Sequence, residues 1–106
     1  MLDVTELEQA VDHLAERLRA APQSRLQRGA AAEGLALARD LSVRAQRLEA
    51  PDSEPRVMPD AGVFAVADQL TVAGRDLAEA LRGAGAGGVL AEAVARVREA
   101  AARAGL

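Results

Sequence analysis

Apolar residues recur at alternating spacings of three and four in four stretches of the chain, which is the periodicity of amphipathic helices. The first stretch predicts a helix over residues 5–20. Either Thr5, with Glu8 at the spacing of a capping box, or Asp3 can cap its start. Pro22 ends it, because proline cannot continue a helix. The apolar stripe of this helix consists of Val4, Leu7, Val11, Leu14, Leu18 and Ala21.

Three further helices follow from the same pattern. The second covers residues 24–48 with Ser24 as its cap, and its stripe is Leu26, Ala30, Gly34, Leu37, Leu41, Ala45 and Leu48. The third covers residues 60–82 with Asp60 as its cap and contains Val63, Ala67, Leu70, Gly74, Leu77 and Leu81. The fourth covers residues 89–104 and contains Leu90, Val94, Val97 and Ala101. Among the stripe residues, Leu14, Leu37, Leu41, Leu70 and Leu77 are expected to be fully buried.

The connections predict how these helices are arranged. Short connections after the first and third helices make each pair an antiparallel hairpin. Residues 49–59 contain three prolines and several acidic residues, and they form the linker between the hairpins. The predicted fold is therefore all-α, an up-down-up-down four-helix bundle built from two helical hairpins, as one domain over residues 1–106.

Composition narrows the functional classes. The chain has 106 residues, of which 50% are hydrophobic, but it contains one phenylalanine and no tryptophan, tyrosine or cysteine. The absence of cysteine excludes disulfides and thiolate chemistry. A net charge of −3 argues against nucleic-acid binding, which depends on neutralising phosphates. All basic residues are arginine and no isoleucine occurs, as in proteins of G+C-rich bacteria.

Nothing in the sequence indicates a membrane or an export route of the usual kind. No apolar run is long enough to span a bilayer. The first residues, MLDVTELEQ, carry acids where a signal peptide carries basic residues. We therefore expect a cytoplasmic protein.

No candidate for catalysis fits its chemistry. His13 lies opposite the apolar stripe, which predicts an exposed side chain, and Glu16 stands where a histidine phosphotransfer helix has lysine. The run GAGAGG at residues 83–88 follows a helix and lacks the lysine of a phosphate-binding loop, so it predicts a turn with a left-handed helix cap. A single histidine cannot build a di-iron site. We expect no enzyme activity, no cofactor and no metal. The alternative is a small enzyme subunit that completes its site with another chain.

Two surfaces are candidates for binding a partner. The apolar arc of the second helix is wider than two neighbours in a bundle require, and the residues that widen it are Leu35, Ala31, Ala38 and Ser42. On the third helix, Phe64 and Val72 lie beside a polar ribbon of Asp68, Thr71, Arg75 and Glu79. This ribbon is either a recognition surface or a solvated face. Asp40, Arg44 and Arg47 form either an anion-binding cluster or surface ion pairs.

These features predict a non-enzymatic helical protein–protein interaction module, or a small regulatory or accessory subunit. The expected partner is a second copy of the chain, as a dimer, or another helical protein. The predicted core has almost no aromatic side chains, which supply much of the buried area in most domains. We therefore expect a partner to supply part of the buried area that the core lacks.

Two runs of sequence resemble a known family. LDVTELEQAVDHLAERL and DQLTVAGRDLAEALR are similar to the helical-hairpin proteins of about a hundred residues that type VII secretion systems export. The resemblance implies a secreted substrate of such a system, or a partner of one. The chain departs from that family at its motifs, since it has neither the Trp-x-Gly turn nor the Tyr-x-x-x-Asp/Glu export signal.

Overall fold

A computed structural model describes residues 2–106 and confirms the all-α, four-helix prediction, with no strand in that range. The helices are α1 (Thr5–Ala20), α2 (Ala31–Glu49), α3 (Val66–Ala84) and α4 (Gly87–Ala104). A helical turn, Gln23–Arg25, and a π-helical turn, Leu26–Ala30, lead into α2. The predicted boundaries of α1 are therefore correct, whereas α2 and α3 begin later than predicted.

The start of α1 is held by Asp3 rather than by a capping box. The Oδ1 atom of Asp3 accepts a hydrogen bond from the backbone N–H of Thr5 at 2.9 Å. Val4 occupies the N-cap position, and its side chain makes no capping hydrogen bond. Hydrogen bonds from the side chain and backbone of Thr5 hold the pKa of Asp3 below its usual value. The prediction of a Thr5–Glu8 capping box is wrong, because Thr5 is already the first helical residue.

The predicted second helix is interrupted at Gly29. Its φ of +136° is far from helical and is readily adopted only by glycine. The π-helical turn absorbs this bend, and the regular helix starts at Ala31. Ser24 does not cap the helical turn that contains it, because Pro22 stands at the N-cap without a side-chain hydrogen bond.

The linker is longer than predicted and ends in a tight turn. The Oδ1 atom of Asp60 accepts the backbone N–H of Gly62 at 2.8 Å, and Gly62 has a φ of +95°. This side-chain turn breaks the helical pattern, so Asp60 does not cap α3, which begins at Val66. The prediction that the third helix starts at Asp60 is therefore wrong.

The linker also runs back along α2. The Nε of Arg39 donates to the carbonyl oxygen of Met58 at 2.7 Å. The side-chain amide of Gln46 makes two hydrogen bonds with the backbone of Arg56, at 2.8 and 2.9 Å. Residues 50–65 can extend for about 50 Å, whereas the 19 residues of α2 are about 28 Å long. The linker is therefore long enough to return the chain to the start of α2.

This return sets the direction of the helices. Gly34, near the start of α2, lies against Val66 at the start of α3, so these two helices point the same way. Arg19 near the end of α1 pairs with Asp68 near the start of α3, so α1 points the opposite way. The hairpin partners are antiparallel, as predicted, but they are not packed neighbours, because α1 scarcely touches α2 and α3 scarcely touches α4. The order is nevertheless up, down, down, up rather than a simple alternation, because α2 and α3 are parallel.

The core lies around α3, which packs between α1 and α2, while α4 packs on α1 and α2 and scarcely touches α3. The five leucines predicted to be fully buried are so: Leu14, Leu37, Leu41, Leu70 and Leu77. Two glycines allow close helix contacts. A Cβ atom added at Gly34 would lie 2.6 Å from Val66 Cγ1, and one added at Gly74 would lie 2.7 Å from Val11 Cγ1.

Candidate interaction surface

The surface predicted on the second helix is not exposed. Leu35 is 8% exposed, and Ala31 and Ala38 are also buried within the chain. Ser42 is half-buried, and its Oγ lies 3.2 Å from the Nε2 of Gln46. The expectation that the bundle leaves Leu35 in water is therefore wrong, and so is the argument that its exposure marks an interface.

The reason is that α2 has three neighbours rather than two. It packs against α3 and α4, and the returning linker covers a third side. A helix with three neighbours needs a wider apolar arc than a helix with two. The arc around Leu35 is thus explained within a single chain.

A shallow groove remains where the linker turns into α3. Its volume is about 350 Å³, and it lies between the start of α2 and the turn at residues 60–63. Leu35 and Ala31 form part of its floor together with Leu26, Val63 and Val66, and Arg39 and Asp60 stand at its edge. Two of the residues predicted to bind a partner therefore line an open groove even though each is buried.

The side chains of Phe64 and Val72 are exposed, as the sequence predicts. Val72 lies on the outer face of α3, whereas Phe64 lies in the turn that leads into this helix, two residues before Val66. Phe64, the only aromatic residue of the chain, is 70% exposed, and Val72 is 52% exposed. Within α3, the residues Asp68, Val72, Arg75 and Glu79 follow one another at helical spacings of four, three and four, and Phe64 precedes Asp68 by four residues. We call this set the α3 face, and its members are Phe64, Asp68, Val72, Arg75 and Glu79.

The polar ribbon is used in part for packing α1 against α3. A guanidinium nitrogen of Arg19 donates to Asp68 Oδ1 at 2.9 Å and to Thr71 Oγ1 at 3.3 Å. Thr71 also donates to the carbonyl oxygen of Ala67 at 3.0 Å. The side chain of Asp68 stays 80% exposed despite this ion pair. The α1 edge of the ribbon is therefore occupied, while the part that carries Val72 and Arg75 faces solvent.

Asp40 and Arg44 form ion pairs instead of an open anion site. Asp40 lies 3.2 Å from Arg44 and 3.3 Å from Arg96, and Arg44 lies 2.8 Å from Glu92. Partial burial lowers the pKa of Arg44, but the hydrogen bond to Glu92 and the charge of Asp40 outweigh it and raise the pKa. Arg47 lies exposed one turn further along α2.

The residues weighed for catalysis lie apart from one another. His13 is exposed on α1, as predicted. Gly85 ends α3 in the left-handed conformation, with its N–H bonded to the carbonyl of Leu81 at 2.9 Å, so the predicted helix cap is confirmed. Within residues 2–106, no three histidine or acidic side chains are grouped closely enough to hold a metal ion. The same part of the chain contains no helix with the length and apolarity needed to cross a bilayer.

Comparison with known proteins adds no family. No protein-family model matches the chain, and no curated protein or solved structure is significantly similar to it.

Proposed function

We propose that this chain is a non-enzymatic protein–protein interaction module that binds through the α3 face. The partner is a second copy of the chain or another helical protein. The observation that supports the proposal most strongly is the position of Phe64, the only aromatic side chain, in water rather than in the core.

The free-energy cost of exposing the Phe64 side chain to water favours binding to a partner. Leaving a phenylalanine side chain in water forgoes about 1.5–3 kcal/mol of burial. Val72, about two turns along α3, adds a second large apolar group to the same face. Aromatic residues are enriched at the centres of interfaces, and charged residues surround them. Phe64 and Val72 with Asp68, Arg75 and Glu79 match that composition.

The position of the face supports the proposal as well. Four of the five residues of the face lie on α3, which packs between α1 and α2, and Phe64 lies in the turn just before this helix. An interface on such a rigid helix requires little ordering on binding, and this reduces the entropic cost of association.

The test replaces each apolar residue of the face by serine. Phe64→Ser and Val72→Ser are compared with Val57→Ser, a matched change at a 67% exposed residue of the linker. Self-association is measured by sedimentation over a range of concentrations. Proteins retained by each variant from a cell lysate are compared in parallel. Melting temperatures show whether the fold is intact.

We expect Phe64→Ser to weaken binding by about 2 kcal/mol, or about thirtyfold, as for a residue at the centre of an interface. Val57→Ser should bind like the unmodified chain. If both variants of the α3 face associate and retain proteins as the unmodified chain does, the proposal is wrong.

A further inference from the structure

The helix α4 contributes little to the apolar core. Its buried side chains are Ala93, Val94, Val97 and Ala100, and its only leucine, Leu90, is partly buried. By contrast, α2 and α3 together contribute five fully buried leucines, which are Leu37, Leu41, Leu70, Leu77 and Leu81. Since hydrophobic stabilisation scales with the apolar area removed from water, α4 is held by less of it than α2 and α3 are.

Ion pairs also attach α4 to its neighbours. Glu92 pairs with Arg44 at 2.8 Å, and Arg96 pairs with Asp40 at 3.3 Å, both across to α2. Arg98 pairs with Glu6 of α1. The side chains of Arg44, Arg96 and Asp40 are 22%, 27% and 30% exposed, whereas those of Arg98 and Glu6 are 66% and 61% exposed. An ion pair as exposed as Arg98–Glu6 is weak and is screened further by salt.

The connection to α3 allows α4 to move. It consists of Gly85 and Ala86, between the end of α3 at Ala84 and the start of α4 at Gly87, and Gly85 adopts a φ of +65°. A Cβ atom added at Gly85 would meet no atom within 4 Å, whereas one added at Gly87 would lie 3.9 Å from the side chain of Leu2. The helix also scarcely touches α3, the helix that precedes it.

We propose that α4 is a releasable helix, which separates from α1 and α2 as a unit while the other three helices stay packed. Ionic strength sets how often it opens. Local opening of this kind is expected where few apolar contacts hold an element. Opening uncovers apolar side chains of α1 and α2.

The absence of cysteine allows a direct test by thiol labelling. Ala100→Cys on α4 is compared with Ala73→Cys on α3, because both alanines are fully buried. The labelling rate of each variant is measured with a water-soluble thiol reagent at low salt and in 1 M NaCl. The ratio of the two rates is the quantity of interest, since unfolding of the whole chain exposes both positions equally.

We expect Ala100→Cys to be labelled at least about tenfold faster than Ala73→Cys at low salt, because partial opening is easier than complete unfolding. In 1 M NaCl, where the screening length falls to about 3 Å, the ratio should rise at least about threefold. Adding Arg98→Gln to Ala100→Cys should increase labelling at low salt, since it removes the ion pair with Glu6.

Hydrogen exchange of the unmodified chain provides a second measurement in case a cysteine variant fails to fold. Amides of α4 should exchange faster than those in the middle of α2 and α3, and salt should widen the difference. Equal labelling of the two cysteines, or equal exchange of the three helices, would overturn the release of α4. If salt does not change the difference in labelling or exchange between α4 and the other helices, ionic strength does not control the release of α4.

Discussion

At the scale of single residues, close contacts explain the glycine on the stripe of α3. A Cβ atom at Gly74 would lie 2.7, 3.1 and 3.2 Å from three side-chain atoms of Val11. Valine in a helix has essentially one χ1 rotamer, so Val11 cannot rotate away. At Gly34 the obstacles are one methyl group of Val66 and the end of Leu18, and the flexible leucine can adjust.

Gly74→Ala should therefore destabilise the protein. Overpacking costs about 1–3 kcal/mol and outweighs the gain in helix propensity of about 1 kcal/mol. The matched control is Gly83→Ala in the same helix, where a Cβ meets no atom within 4 Å. Its free energy of unfolding should stay the same or rise slightly. Urea unfolding measures both, and a Gly74→Ala variant more stable than the unmodified chain would rule out the close contact.

The pKa of Asp3 is a second property of a single residue that can be measured. Its pKa is lowered by hydrogen bonds from Thr5, so its contribution to stability is present above the carboxyl pKa of the unfolded chain. That contribution is lost as the pH falls through the lower pKa of the folded state. In an NMR titration, the midpoint of Asp3 should rise in Thr5→Val, because the hydroxyl donor is removed. An unchanged midpoint would contradict the role of the side-chain hydrogen bond.

At the scale of elements, local signals predicted α1 and missed the starts of α2 and α3. Asp3 before the regular stripe and Pro22 after it mark the two boundaries of α1. Gly29 and Gly62, in contrast, adopt positive φ values that nothing nearby in sequence requires. Asp60 fits a helix cap by residue type, yet its carboxylate bonds Gly62 in a turn. The residue type of Asp60 allows either a helix cap or a side-chain turn, and the local backbone conformation determines which of the two forms.

The returning linker depends on the side chain of Gln46 for two of its hydrogen bonds. Gln46→Ala should lower the free energy of unfolding by about 1 kcal/mol, because hydrogen bonds to exposed groups are worth that order. It should also speed amide exchange in residues 55–63. Gln9→Ala, at an exposed position of α1, should change neither. If exchange in the linker were the same in both variants, Gln46 would have no part in holding it.

At the scale of the whole molecule, the candidate surface was only partly predictable. The exposure of Val72 followed from its position opposite the apolar stripe. The exposure of Phe64 was predicted from the same helical pattern, although this residue lies in the turn before α3. The burial of Leu35 did not, because periodicity shows which residues are apolar but not which distant segment covers them. The cover is formed by the linker, whose contacts with α2 join residues as far apart as Arg39 and Met58.

The most direct test introduces a glutamate into each of the two surfaces considered for the interface, which are the α2 surface around Leu35 and the α3 face. Leu35→Glu inserts a carboxylate into a buried position, whereas Val72→Glu places it on the exposed α3 face. Each variant is measured by thermal melting and by light scattering after size exclusion, and proteins retained from a lysate are compared.

We predict that Leu35→Glu loses about 3 kcal/mol of stability and melts at least about 10 °C lower, because it removes an apolar side chain from the core and buries a charge. Val72→Glu should melt like the unmodified chain but lose self-association or its retained partner. The opposite result, with binding lost and the fold intact in Leu35→Glu and no change in Val72→Glu, would contradict the account and place the interface on α2.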